Sequence, residues 1–260
     1  LKVARTIERV SNTDVSVMLL GASGTGKELL ARGVHLASSR KGGAFVAINC
    51  GAIPENLLEA ELFGHEKGAF TGAVKTTEGK IALAQGGTLF LDEVEKFPTK
   101  LGDVLADALK NGVLNKETGV RRKFNVRIIA ACDSNLKRLT DKGLFSKSLY
   151  ELVIGTVVRV PPLRERVEDV EVIANHILTE MAARHSMPTK TLSHEAMELL
   201  NSCHWPGNIK QLQGVIEQAF FHTAGSVIDA SHIKLPGEHR IEKSWKHDKD
   251  AFVASWKQAG

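Results

Sequence analysis

Short apolar runs alternate with amphipathic stretches along the first two thirds of the chain. The first run ends at Gly21, and the stretch that follows it, ELLARGVHLAS, repeats its apolar positions at helical spacing. Four more runs follow, with room for helices between them. The predicted strands span residues 15–20, 45–48, 88–91, 126–131 and 157–160. Buried strands that alternate with helices predict an α/β fold with a mostly parallel sheet.

The pattern changes after Pro161 and Pro162. Three helical patterns follow, over about residues 170–184, 193–203 and 208–223. Ser193 is the predicted N-cap of the second helix. Beyond Pro236 a polar stretch is typical of a linker. The sequence therefore predicts three parts: an α/β domain over 1–166, a small helical domain over 167–236, and a linker with a further segment over 237–260.

The composition is that of a globular protein and excludes a disordered or fibrous chain. Of 260 residues, 43% are hydrophobic and 25% are charged. The net charge of +4 is compatible with a nucleotide or nucleic-acid partner but requires neither. The three cysteines lie far apart and form no CxxC pair, which argues against disulfides and zinc and favours the cytoplasm. No apolar run reaches the roughly 18 residues of a membrane span, so no membrane partner is expected.

A phosphate-binding loop is predicted between the first strand and the first helix after it. The segment fits the pattern Gly-x-x-x-x-Gly-Lys, in which backbone N–H groups and a helix N-terminus surround phosphate oxygens. Lys27 would reach the β and γ phosphates, and Glu28 stands where a hydroxyl ligand of Mg²⁺ is usual. The candidate nucleotide-binding residues here are Gly21, Ala22, Ser23, Gly24, Thr25, Gly26, Lys27 and Glu28.

Two carboxylates at the end of another apolar run supply candidate hydrolytic groups. Asp92 and Glu93 follow the run TLFL, about 65 residues after the phosphate loop. Asp92 is suited to hold Mg²⁺, and Glu93 is suited to polarise a water molecule for attack on the γ phosphate. Together with the phosphate loop, this pair predicts an ATPase site.

An unusual hexapeptide lies between these two motifs. Its single aromatic residue is framed by small residues, which favours a loop that presents Phe70 and Thr71 to a partner, with a buried hairpin as the alternative. The hexapeptide consists of Gly68, Ala69, Phe70, Thr71, Gly72 and Ala73.

Six segments in a constant order resemble one protein family. GASGTGKE, ELFGHEKGAFTGA, GGTLFLDE, VRIIAA, PPLRER and WPGN are similar to the AAA+ domain of bacterial sigma-54-dependent transcriptional activators, over about residues 1–236. GAFTGA is the most specific of them, because in that family it is the loop that touches sigma-54. The family also resembles this sequence in having Gly-Lys-Glu at residues 26–28.

The resemblance implies an AAA+ P-loop NTPase with a five-stranded parallel sheet flanked by helices, followed by a small all-α lid domain. It implies a homo-oligomeric ring, commonly hexameric, that uses ATP and Mg²⁺ to remodel the closed complex of sigma-54 RNA polymerase. Asp92 and Glu93 would be the Walker B pair, and Asn49 matches the asparagine that restrains the catalytic glutamate. The hexapeptide would contact sigma-54 through Phe70 and Thr71.

The last residues resemble the start of a DNA-binding domain. KDAFVASWKQAG, residues 249–260, is similar to the opening helix of the Fis-like helix-turn-helix that usually follows this AAA+ domain. We therefore expect promoter-upstream DNA to be bound through a domain that is missing from this chain.

Four positions depart from the family pattern. Ser146 and Leu152 stand where the family has two arginine fingers, which are worth roughly 10³ to 10⁵ in rate when supplied in trans. The sensor position carries Asp133, which would repel the γ phosphate unless Mg²⁺ or a proton compensates, or which faces away from the phosphate. Lys210 replaces an arginine near the nucleotide, or is a solvated lysine at a helix start. The nearest replacement cation is Lys147, and further candidates are Arg138, Arg159, Arg164 and Arg166.

Two functions remain open on these residues. The first is the ATPase core of a sigma-54-dependent activator, with hydrolysis weakened at the finger positions. The alternative is a hydrolysis-impaired pseudo-ATPase module that binds nucleotide to control oligomerisation and transcription.

Overall fold

The computed structural model describes residues 2–65, 75–111 and 123–235, with side chains from residue 7 onward. Its contacts divide the chain into two compact units, Leu1–Pro161 and Pro162–Gly260. The first unit contains α1 (Lys2–Ser11), β1 (Val17–Leu20), α2 (Lys27–Leu36), β2 (Phe45–Asn49), α3 (Glu55–Phe63), β3 (Gly64–His65), β4 (Thr77–Glu78), α4 (Lys80–Leu83), β5 (Thr88–Asp92), a 3-10 turn (Val94–Lys96), α5 (Thr99–Asn111), β6 (Arg127–Cys132), α6 (Leu136–Asp141), α7 (Lys147–Val153) and β7 (Thr156–Arg159).

Five of these strands form one parallel sheet in the order β2-β5-β6-β1-β7. They are the five strands predicted from the apolar runs, with ends that agree within two residues. The predicted fold class, a five-stranded parallel sheet flanked by helices, is therefore confirmed.

Alternating side chains bury both faces of this sheet. In β1, Val17 and Leu19 join a cluster that includes Ala31 and Val34 of α2, whereas Met18 joins the larger cluster on the opposite face. That larger cluster also contains buried residues of α3, α5 and α7. Helices therefore cover both faces, and the carboxyl ends of the parallel strands are the edge at which loops can carry a site.

The second unit is mainly helical. It contains a 3-10 turn (Leu163–Glu165), α8 (Asp169–His185), β8 (Thr191–Leu192), α9 (His194–Asn201), α10 (Asn208–His222), β9 (Val227–Ile228) and a 3-10 turn (Ala230–His232). The three predicted helices are confirmed, and the Ser193 hydroxyl accepts a hydrogen bond from the Ala196 N–H at 3.2 Å, as expected of an N-cap. The indole of Trp205 is buried and donates to the Leu200 carbonyl at 2.9 Å.

No helix within the described ranges is long and apolar enough to cross a membrane.

Candidate nucleotide-binding and hydrolysis site

The predicted phosphate loop lies between β1 and α2. Gly24 and Gly26 have φ values of 75° and 88°, a left-handed conformation that glycine adopts without strain. The Thr25 side chain is buried, and its hydroxyl donates to the Ala22 carbonyl at 2.8 Å. The first N–H groups of α2 have no partner within the helix, so the loop and the helix start form an anion-binding concavity.

Lys27 and Glu28 follow the loop and have different environments. The Lys27 ammonium donates to the carbonyls of Gly21 and Ala22 at 2.8 and 3.1 Å, which holds its charge over the loop. The Glu28 carboxylate pairs with Arg32 one helical turn later, at 2.8 Å, on the exposed side of α2. Lys27 is therefore placed to meet phosphate, whereas Glu28 makes its described contact within the helix.

Asp92 ends β5 at the same edge of the sheet. Burial raises the pKa of its carboxyl group, and the Glu93 N–H, which donates to Oδ1 at 3.0 Å, and the Lys27 charge act in the opposite direction. A bound divalent cation would favour the charged form of such a carboxyl group. The described residues contain no group of three or more metal-ligating side chains. The Asp92 carboxylate alone still fits Mg²⁺, because this ion is commonly bound through one or two carboxylates together with substrate phosphates.

Glu93 is held by a turn at the end of the neighbouring strand β2. Asn49 pairs with Asp92 across the two strands, and its amide oxygen accepts the N–H groups of Gly51 and Ala52 at 2.9 and 3.0 Å. This arrangement leaves the Asn49 amide nitrogen to donate to Glu93 Oε1 at 3.4 Å. The resemblance alone predicted that Asn49 restrains Glu93, and the structure brings the two side chains into contact.

Gly51 leaves the space that the Glu93 carboxylate occupies. A Cβ atom at residue 51 would lie 2.3 Å from Glu93 Oε2, which is far inside van der Waals contact. Glu93 itself has a φ of 50°, which is uncommon for a residue with a side chain. The position of Glu93 therefore depends on backbone geometry as well as on Asn49.

Asp133 follows β6, the strand beside β5, and is exposed. Its neighbour Cys132 is buried, and burial raises the pKa of that thiol to about 12. The Asp133 side chain lies within hydrogen-bonding reach of Glu95, which lies in the 3-10 turn after Glu93. Glu95 was not among the residues predicted from the sequence. It lies shortly after the end of β5, and Asp133 directly follows the neighbouring strand β6, so its position in the sequence was a signal by which it could have been found.

The two positions expected for arginine fingers are part of the packing around α7. The Ser146 side chain is buried, accepts the Leu149 N–H at 3.0 Å as the N-cap of α7, and donates to Asp103 Oδ1 at 2.6 Å. Leu152 is partly buried against the larger cluster of the first unit. Lys147, between them, is exposed.

Lys210 is an exposed residue in the first turn of α10, in the second unit. The hexapeptide of residues 68–73 and the segment 249–260 lie outside the described residues.

Comparison with protein families identifies the class of protein. Residues 1–158 match the model described as the Sigma-54 interaction domain, and residues 164–250 match that of the AAA+ ATPase lid domain. The first match covers more than half of the chain, so the chain belongs to the Sigma-54 interaction domain family.

Individual relatives agree with this assignment. The transcriptional regulatory protein GlrR of Escherichia coli K12 is 42% identical over 260 residues, which are 98% of this chain and 58% of GlrR. The DNA-binding transcriptional regulator NtrC of Azospirillum brasilense is 42% identical over 218 residues, which are 84% of this chain and 45% of NtrC. The chain thus spans about half the length of these relatives.

A solved structure shows the same fold. NtrX of Brucella abortus, in complex with ADP, has a TM-score of 0.78 and 30% identity, over 91% of this chain and 55% of NtrX. A complex of NtrX with ATP has the same TM-score and identity.

Proposed function

We propose that this chain is the ATPase core of a sigma-54-dependent transcriptional activator, which couples ATP binding and hydrolysis to remodelling of the sigma-54 RNA polymerase closed complex. The observation that carries the proposal is the group of side chains at one edge of the parallel sheet. Lys27 lies over the phosphate loop, Asp92 ends β5, and Glu93 is held by Asn49.

In this proposal the loop of residues 21–26 and the start of α2 bind the phosphates, and Lys27 neutralises charge on the β and γ phosphates. Asp92 would hold Mg²⁺, which would neutralise phosphate charge when bound. Glu93 orients the attacking water and accepts its proton as the bond from the water oxygen to the γ phosphorus forms and the bond from that phosphorus to the bridging oxygen of ADP breaks. Release of Glu93 from Asn49 is the step that permits this proton transfer.

The partners follow from the family. We propose that Phe70 and Thr71 contact sigma-54, that the chain assembles into a homo-oligomeric, hexameric ring, and that a domain outside this chain binds promoter-upstream DNA. The boundaries 1–166 and 167–236 would separate the nucleotide-binding and lid domains. The complexes of NtrX with ADP and ATP support the choice of nucleotide.

One observation favours the alternative of a hydrolysis-impaired module. Ser146 is a buried helix cap and Leu152 packs against the core, so neither finger position offers a cation. In that case nucleotide binding would control oligomerisation, and hydrolysis would be negligible. Lys147 is the exposed cation nearest to these positions in sequence, although it lacks the planar fork by which arginine grips phosphate.

Steady-state ATP hydrolysis over a concentration series of the protein separates the two functions. For the ATPase, turnover per protomer rises with assembly and disappears in Glu93→Ala, and the exposed Glu59→Gln serves as a control with normal turnover. ATP affinity is measured in parallel for each variant. Binding without turnover in assembled protein would reject the ATPase and support the pseudo-ATPase.

The source of the replacement cation is tested at Lys147. If Lys147 supplies charge to a neighbouring subunit's nucleotide, Lys147→Ala loses most turnover while ATP affinity remains, and Lys147→Arg retains or raises turnover. Equal turnover in all three proteins would assign that role to another cation.

A further inference from the structure

Glu95 carries a buried carboxylate oxygen that lacks an ordinary donor. Oε2 of Glu95 is inaccessible to solvent, and no described residue donates a hydrogen bond to it. Burying an acceptor without a donor is unfavourable by about 1–3 kcal/mol, and by more when the group is charged. This buried oxygen therefore requires a partner that shares a proton with it.

The partner is the Asp133 side chain. Glu95 follows β5 and Asp133 follows β6, and these strands are adjacent and parallel, so their carboxyl ends bring the two side chains together. The two carboxyl groups lie within hydrogen-bonding reach of each other. Two ionised carboxylates offer only acceptors and repel each other, so a proton between them would stabilise this contact.

The surroundings add negative charge and little compensation. The charges of Asp92, Glu93 and Glu95 act on the thiol of Cys50, in the turn after β2. The charges of Glu95 and Asp133 act on the thiol of Cys132 in β6. Both thiols are buried, and burial raises the pKa of each above its usual range. The cation that acts on this region is Lys27, whose ammonium lies over the phosphate loop.

The titration of Glu95 agrees with the geometry. Burial is the largest cause and the Asp133 carboxylate a further cause of a rise in the pKa of Glu95 to about 7, whereas backbone N–H groups of Glu95 and Asp133 act in the opposite direction. Below about pH 7 the raised pKa therefore favours a proton on Glu95.

We propose that Glu95 and Asp133 share one proton, and that Glu95 is a positioning residue that holds Asp133 at the end of β6. The pair then carries one negative charge instead of two. This reduces the repulsion that an aspartate at the sensor position would exert on the γ phosphate. Loss of the proton adds a second charge and removes the hydrogen bond that orients Asp133.

The expected effect of this pair on ATP binding rests on the proposed function, whereas the shared proton does not. The shared proton is therefore measured first, in protein without nucleotide. In protein with ¹³C-labelled glutamate side chains, the Glu95 carboxyl signal is assigned by its loss in Glu95→Gln. We expect its titration midpoint to lie near 7 and to fall by about one pH unit in Asp133→Asn, because the asparagine amide can donate to ionised Glu95. The exposed Asp141→Asn, at the end of α6, is the matched control and leaves the midpoint unchanged.

A Glu95 midpoint near 4.5, or a midpoint that Asp133→Asn does not move, would overturn the proposal whatever the protein does with ATP. Circular dichroism of each variant confirms that the fold is retained.

The second measurement is the affinity for ATP at pH 6 and pH 8, with Mg²⁺ present. We expect affinity to fall several-fold more between these pH values in the unsubstituted protein than in Glu95→Gln, because the glutamine cannot gain the second charge. Protonation of the nucleotide is common to all variants and cancels in this comparison. Failure of all variants to bind ATP would reject the proposed function and leave the shared proton intact, whereas equal pH dependence would show that the pair does not act on nucleotide.

Discussion

Burial is the largest cause of the pKa shifts of Cys50, Asp92, Glu95 and Cys132 in the first unit. For Glu95 this has a definite consequence for stability. An acid whose pKa is raised in the folded state binds its proton more tightly there than in the unfolded chain. Its contribution to stability is complete below the unfolded value of about 4.5 and is lost as the pH rises through about 7.

We therefore predict that Glu95→Gln becomes progressively more stable, relative to the unsubstituted protein, as the pH rises from about 4.5 to 7. The difference in melting temperature between the two proteins should increase across this window and level off above it. The comparison of the two proteins cancels the titration of the other groups. A difference that is independent of pH would contradict the raised pKa of Glu95.

The three cysteines should differ in reactivity. Cys50 and Cys132 are buried, and burial raises the pKa of both thiols, so they hold little of the reactive thiolate. Cys203 is partly exposed. In native protein at pH 8, we predict that iodoacetamide modifies Cys203 at least ten-fold faster than the other two, as measured by peptide mass spectrometry, and that denaturation removes the difference. Rapid native labelling of Cys132 would contradict its packing in the sheet.

Site residues differ in how far the sequence predicts them. Lys27, Asp92 and Glu93 belong to local motifs, so their spacing along the chain is enough. Glu95 gains its importance from Asp133, and only the register of two parallel strands brings them together. The burial that shifts Glu95 is likewise a property of the packed sheet, which no local pattern contains.

At the scale of elements, helix α7 packs closely on α5. Gly102 of α5 approaches Ser146 so closely that a Cβ atom there would lie 2.8 Å from the Ser146 Cβ. Leu149 adds a second contact at 3.2 Å. The close contact between α5 and α7 thus depends on glycine, which has no side chain, at residue 102.

This contact predicts opposite effects for two glycine-to-alanine substitutions in helices of the same unit. Gly102→Ala should destabilise the first unit by about 1–3 kcal/mol through overpacking. Gly33→Ala in α2, where a Cβ would meet nothing within 4 Å, should stabilise it by about 0.5–1 kcal/mol through lower backbone entropy in the unfolded chain. Urea denaturation of both variants shows whether each substitution raises or lowers the free energy of unfolding. A stabilising Gly102→Ala would contradict the close packing of α5 and α7.

At the scale of the whole molecule, the two units have separate hydrophobic cores. The clusters of the first unit and the cluster around Trp205 share no residue. The sequence predicted both cores, because apolar runs and helical periodicity are local features. It did not predict which strands are neighbours, since the order β2-β5-β6-β1-β7 reflects crossovers that depend on packing of the whole sheet.

Separate cores predict a local effect of a large substitution. Trp205→Ala removes a buried indole and should destabilise the second unit by about 3–5 kcal/mol. Native-state hydrogen exchange should show faster exchange of amides in α8–α10, whereas amides of β1, β5 and β6 keep their protection. Equal loss of protection in both units would show that they unfold as one.

The packing of α7 determines the effect of placing an arginine at residue 146 or residue 152. An arginine at residue 146 would lose the helix cap, which is worth about 0.5–2 kcal/mol, and would place a long cation where a buried hydroxyl now lies. An arginine at residue 152 would replace a leucine that contacts the core. Each of these substitutions is therefore expected to lower stability, so an exposed position near α7 can carry an added cation at a smaller cost in stability than residue 146 or 152.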